Sequence, residues 1–196
     1  EHLRNVDAAI IEWLDMEEKL FKTYENYMVK SKLESGFSSV DDFISYSLSV
    51  QNRRKARAGQ ALENHLEFIF KLSDLKYSRN KITELNKRPD FIFPGISQYR
   101  DPGFSPIYLS MLGVKTCCKD RWRQVLSEAD RIEKKHLFTL EPGISTSQTE
   151  EMESAMLQLV IPEGLFSTYS PQQREWLHTL TNFINYVAGK EKDSGV

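Results

Sequence analysis

Four short apolar runs, at 91–93, 107–114, 136–140 and 157–161, follow one another through the second half of the chain, most of them bounded by proline, glycine or charge. Runs of this length predict buried strands rather than helices, and 76–82 predicts a further short strand. The chain before them has another pattern. Residues 6–30 predict a long amphipathic helix: Ile10, Leu14 and Phe21 recur near helical spacing, and Trp13, Leu20 and Tyr24 widen the stripe. Ser35-Gly36 interrupts it. Ser39-Val-Asp-Asp predicts the start of a helix through Val50, and a third spans about 57–72, with Leu62, Leu66, Ile69 and Phe70 facing inward. Helices are expected again at 119–134, at 149–156 and from Pro171 to about Ala188, with a frayed tail at 190–196. Helices first, then strands alternating with helices, predict a mixed α/β fold: one central mixed β-sheet flanked by helices, behind an N-terminal helical segment.

A chain of 196 residues suffices for one domain with a substantial core. We read 1–196 as a single unit, with 1–58 its helical N-terminal part, 59–170 its core, and 171–196 a C-terminal helix and tail. No run of about eighteen apolar residues is present, so no membrane span is expected. The first residue is Glu1 and no signal-like segment follows, which reads as a fragment preceded by an N-terminal regulatory domain. Cys117 and Cys118 are adjacent and cannot form an ordinary structural disulfide with each other, which favours a reducing compartment, the cytoplasm. Two neighbouring cysteines also lack zinc spacing.

A formal net charge of −2 does not announce a nucleic-acid binder. The distribution is more informative. Arg53, Arg54, Lys55 and Arg57 form one basic cluster, and Lys115, Lys119, Arg121 and Arg123 another, offset only by Asp120. Such clusters are ordinarily solvated faces; beside a metal site they point to phosphate.

The chemistry concentrates between Arg88 and Glu128. Pro89-Asp90 opens the first of the four runs, and the second delivers Lys115, 25 residues after Asp90. An acid on one strand, a lysine on its neighbour and a second acid nearby suit a magnesium site that cuts phosphodiesters. The carboxylates hold the ion, and the ammonium stabilises the attacked phosphate or helps deprotonate the nucleophile. Asp90 and Lys115 resemble the core of the PD-(D/E)xK nucleases. The usual second acid, two residues before the lysine, is replaced by Gly113, which has no ligating side chain. Glu128, on the segment expected to pack back against the sheet, supplies a carboxylate in its place.

With that displaced acid, the stretches Ser49-Val-Gln-Asn-Arg-Arg-Lys-Ala-Arg-Ala-Gly59, Leu62-Glu-Asn-His-Leu66, Lys87-Arg-Pro-Asp-Phe-Ile-Phe-Pro-Gly95, Lys115-Thr-Cys-Cys-Lys-Asp-Arg-Trp-Arg-Gln124 and His136-Leu-Phe-Thr-Leu-Glu-Pro-Gly143 resemble the catalytic domain of EcoRII-type restriction endonucleases. The likeness runs from about Gly36 to Tyr169. It implies that Asp90 and Glu128 bind Mg²⁺, that Lys115 is the catalytic lysine, and that Glu63 is an auxiliary carboxylate orienting water. It also implies that Lys119, Asp120 and Arg121 read base edges, as their chemistry allows: Arg and Lys donate to guanine, and Asp accepts from cytosine. Arg123 and Tyr99 are further candidates for DNA contact. The resemblance further implies a C2 homodimer on double-stranded DNA at a CCWGG-like site, cutting before the first cytosine to leave 5′-phosphates. The central base pair would be flipped into a pocket, for which Lys22 and Tyr24 are candidates.

Other readings compete. Tyr99-Arg100, expected in a loop after the Asp90 strand, could form a covalent phosphotyrosine as a strand transferase does. A degenerate nuclease core could bind DNA at a specific sequence without cutting it. The first helix could serve as the partner surface of an interaction protein.

Overall fold

A computed structural model describes residues 5–118 and 121–195. The chain begins with a helical hairpin. Helix α1 (Val6–Ser35) starts where the Asn5 side chain accepts from the Ala8 amide, and it stops at Gly36, whose φ of 73° lies in the region glycine favours. Helix α2 (Val40–Leu72) starts at Ser39, whose hydroxyl accepts from the Asp42 amide. It is one continuous helix of 33 residues, where the sequence predicted two. The division expected at residue 58 therefore falls inside a helix and marks no boundary. Cross-hairpin ion pairs hold the polar middle of α2: Arg54 binds Glu25 at 2.5 Å, and Arg57 binds Glu17 and Glu18. Two members of the first basic cluster are thus neutralised by the acids of α1 rather than offered to phosphate.

Among the described residues five strands follow: β1 (Ser78–Arg79), β2 (Phe91–Phe93), β3 (Ser110–Lys115), β4 (Lys135–Thr139) and β5 (Leu157–Val160). They form one sheet in sequence order. The β1–β2 and β2–β3 pairs are antiparallel, and β3–β4 and β4–β5 are parallel, so the sheet is mixed as expected. Alternation along the strands separates two cores. On one face Leu62, Leu66, Ile69 and Phe70 of α2 pack with Phe91, Phe93, Leu112 and Val114. On the other, Ile92, Met111, Leu137 and Leu159 pack with Trp122 and Val125.

The remaining helices are short, apart from the last: α3 (Ile96–Arg100), α4 (Trp122–Leu126), α5 (Thr146–Ser154), α6 (Pro171–Trp176) and α7 (Leu180–Ser194). Three depart from expectation. The predicted helix at 119–134 is reduced to α4, because Ala129 turns left-handed at φ 51°. The closing helix is broken between α6 and α7, where His178 donates its amide to Leu159 and accepts from Ile161, extending the β5 edge. The C-terminus is helical to Ser194 instead of frayed. Among the described residues no helix is long and apolar enough to cross a membrane.

Candidate functional site

The register that sets Phe91 opposite Leu112 and Ile92 opposite Met111 brings Asp90, one step further, across from Gly113. Asp90 Oδ2 accepts from the Val114 amide at 2.6 Å and lies 3.4 Å from Lys115 Nζ. By strand alternation Asp90, Gly113 and Lys115 share the face that α4 covers. Gly113 is the close-approach point: a Cβ there would meet the two Val125 methyl carbons at 2.9 and 3.0 Å. The valine that seats α4 on β3 occupies the space a side chain at 113 would need. An acid at the usual position is therefore sterically excluded, and the acid comes from the far end of α4.

That acid is Glu128, in the turn just after α4 and not on a helix as predicted. Burial pushes its carboxyl up to about 7; Lys115 opposes the shift, and Asp90 adds to it. Glu128 thus lies within electrostatic reach of both partners. Its Oε2 is buried and, among the described residues, accepts no hydrogen bond. Asp90 is also raised above the usual carboxylate range, since desolvation outweighs Lys115 and the Val114 amide. Two desolvated carboxylates, one with an orphaned oxygen, are short of positive charge. A divalent cation fits that deficit. Among the described residues no group of three or more His, Cys, Asp or Glu side chains gathers for a metal. Two carboxylates suit Mg²⁺, which keeps several waters and takes further oxygens from a phosphate.

The other candidates divide. Glu63, on α2, is close enough to Asp90 to raise its pKa, but its Oε2 accepts from Arg79 at 2.9 Å and from Asn80 at 3.2 Å. Lys119 and Asp120 lie outside the described residues. Arg121 precedes α4 with its side chain exposed. Arg123 is exposed, over the Trp122 ring and paired with Glu151 at 2.6 Å. Tyr24 is 60% exposed on α1, and Lys22 pairs with Glu18 beside it.

Tyr99 corrects an expectation. It lies in α3, not in a loop, and is only 2% exposed. Its hydroxyl donates to Glu84 at 2.6 Å and accepts from the Arg131 amide at 3.3 Å. Burial and Glu84 raise its pKa. A phenol so placed is neither a nucleophile nor a DNA contact; it is a strut.

Sequence reasoning noted Lys87 only as one of the basic residues before Pro89-Asp90 and missed Lys135; both bear electrostatically on Glu128. Lys135 is buried, donates to the Ile132 carbonyl at 2.7 Å and is lowered in pKa by desolvation. Its only signal was position: a charge directly before an apolar run.

Residues 21–184 match the family described as EcoRII C terminal. Over 188 residues the chain is 44% identical to the type II restriction enzyme EcoRII of Escherichia coli, covering 95% of this chain and 46% of that enzyme. The chain thus spans about half the length of the curated relative it matches. The restriction endonuclease PspGI, solved in complex with substrate DNA, aligns with a TM-score of 0.78 at 13% identity, covering 96% of this chain and 81% of the other. Metal-depleted Ecl18kI in complex with uncleaved DNA aligns at 0.75 and 19% identity, covering 96% and 71%. At those identities the two structures establish a common fold. The sequence match spans that same sheet and includes Asp90, Lys115 and Glu128: the chain belongs to the EcoRII C-terminal family.

Proposed function

We propose that this chain is the catalytic domain of a type II restriction endonuclease, hydrolysing double-stranded DNA with Mg²⁺ at CCWGG-like sites and leaving 5′-phosphates. The observation that carries the reading is the buried, unpartnered Oε2 of Glu128 in electrostatic contact with Asp90 and Lys115. A purely structural carboxylate would find a donor there or stay in water.

In this reading Asp90 and Glu128 hold the ion, which would supply Lewis acidity at the scissile phosphate and an acidified water. Lys115 Nζ, steadied by Asp90, faces the negative charge that builds on the phosphate oxygens and orients the attacking water. Glu63 is the auxiliary carboxylate; engaging water requires it to loosen its pairing with Arg79. Lys119, Asp120 and Arg121 read the flanking G·C pairs, and the central pair is flipped out. Family membership supports these two assignments.

The protein acts as a homodimer, and the apolar side chains left exposed along the hairpin, among them Leu20, Tyr27, Phe43 and Leu48, supply a surface for a second copy. An N-terminal effector domain, in keeping with the unmatched half of EcoRII, precedes it in the full protein, which works in the cytoplasm.

Incubation with a CCWGG duplex, with and without Mg²⁺, tests the proposal. Free 5′-phosphate ends are expected only with the metal, and none from Asp90→Ala. Binding without metal-dependent cutting would instead support an inert recognition module. Sedimentation as a species of twice 22.8 kDa is expected, and a monomer on DNA would remove the dimer from the proposal.

A further inference from the structure

The connection between β1 and β2 carries a feature that the catalytic reading does not use. Leu85 is 86% exposed, and both it and Asn86 adopt left-handed backbone, at φ 51° and 59°. A leucine gains nothing from water and is strained in that conformation, so neither property follows from folding alone. Yet the turn is firmly held. The Thr83 amide donates to the Lys87 carbonyl at 2.9 Å, and the Lys87 amide to that of Glu84 at 2.9 Å. Arg100 donates to the Ile82 carbonyl at 2.9 Å. The Glu84 carboxylate accepts from the Tyr99 hydroxyl at 2.6 Å and from the Asp130 amide at 3.4 Å. This last pair ties the tip to the turn that bears Glu128.

The exposed charges carried by the turn itself are basic, while the exposed acid Asp130 lies against Glu84. Lys81 and Arg88 are exposed beside it, and Lys87 lies within electrostatic reach of Glu128. The one acid of the turn, Glu84, is turned inward onto Tyr99 and Asp130. Pro89 and Asp90 follow directly, so the tip stands at the edge of the metal site. An apolar side chain carried on a firmly held turn and flanked by cations, next to a site for a phosphodiester, matches the chemistry of a wedge inserted between base steps.

We propose that Leu85 is such a wedge, pressing on the base stack beside the scissile phosphate while Lys81, Lys87 and Arg88 hold the neighbouring phosphates. The inference rests on the double-stranded-DNA reading above and adds to it a contact outside the catalytic carboxylates and the base-reading triplet.

The test compares the parent chain with Leu85→Ala and Leu85→Met on a CCWGG duplex bearing 2-aminopurine next to the cut. Leu85→Ala is expected to lose about tenfold or more in kcat/KM and to abolish the fluorescence rise that reports unstacking. Leu85→Met should retain both, and Tm should be unchanged in each, because the side chain is in solvent. Arg88→Ala should instead lower the slope of log affinity against log salt by about one while leaving the fluorescence rise intact. Parent-like cutting and fluorescence in Leu85→Ala would overturn the wedge and leave the nuclease reading standing. A fall in Tm matching the loss of activity would make Leu85 structural and also overturn it. A parent chain that neither binds nor cuts DNA would remove both readings.

Discussion

Glu128 is held in a state whose consequence is measurable without substrate. Its carboxyl titrates near 7 in the folded chain against an ordinary 4.5, so the folded state holds that proton more tightly than the unfolded one. Stability from this group is fully present below about pH 4.5, declines as pH rises and levels off above 7. In metal-free protein the decline amounts to at most about 3 kcal/mol. Glu128→Gln is expected to flatten that part of the pH profile and to raise Tm at pH 8, while abolishing cleavage. Calorimetry across pH on both proteins checks it, and an unchanged profile would mean that Glu128 is not the group responsible. Mg²⁺ should reverse the decline in the parent, because an ion on the carboxylate compensates its desolvation.

Helix α4 is five residues long, yet its placement determines where the second acid stands. It rests on β3 through Val125 against Gly113, at a separation that leaves no room for a methyl group. Gly113→Ala is therefore expected to push α4 outward, costing about 1–3 kcal/mol and carrying Glu128 away from Asp90. The loss in cutting should exceed what the fall in Tm explains at the assay temperature. Val125→Ala added to Gly113→Ala should recover part of both by restoring space. A double variant no better than the single one would show that the packing does not set the position of Glu128.

Across the molecule, Asp7 joins the start of the chain to its end. It is buried in α1, and its carboxylate accepts from the Leu180 and Thr181 amides at 2.7 and 3.1 Å, from the Thr181 hydroxyl at 2.5 Å and from the Glu163 amide at 3.3 Å. It thereby caps α7 from 173 residues away and fixes the hairpin to the C-terminal helix. Asp7→Ala leaves these donors unmet, at an expected cost of about 2–3 kcal/mol and a fall in Tm of roughly 5–10 °C. Thermal unfolding checks it, and a shift within about 1 °C would mean that water replaces the carboxylate.

What could be read along the chain was what short-range chemistry encodes. Four apolar runs gave four of the five strands in order, Ser39 and Pro171 marked helix starts, and the residue types of Asp90, Lys115 and Glu128 pointed to metal-assisted phosphodiester chemistry. The strand and helix-start signals lie within a few residues of their effects. The misreadings came from partners far apart in sequence. The polar middle of α2 has no apolar stripe to reveal it and stays helical where Arg54 and Arg57 meet acids of α1. His178 leaves the closing helix because the β5 edge offers it hydrogen bonds. Tyr99, expected in a loop, lies in α3, where its hydroxyl is held by Glu84 and the Arg131 amide. Even the gap at Gly113, legible as a missing ligand, acquired its reason only from Val125 lying across it. Burial and close packing depend on which distant segments meet, and no local pattern contains that information.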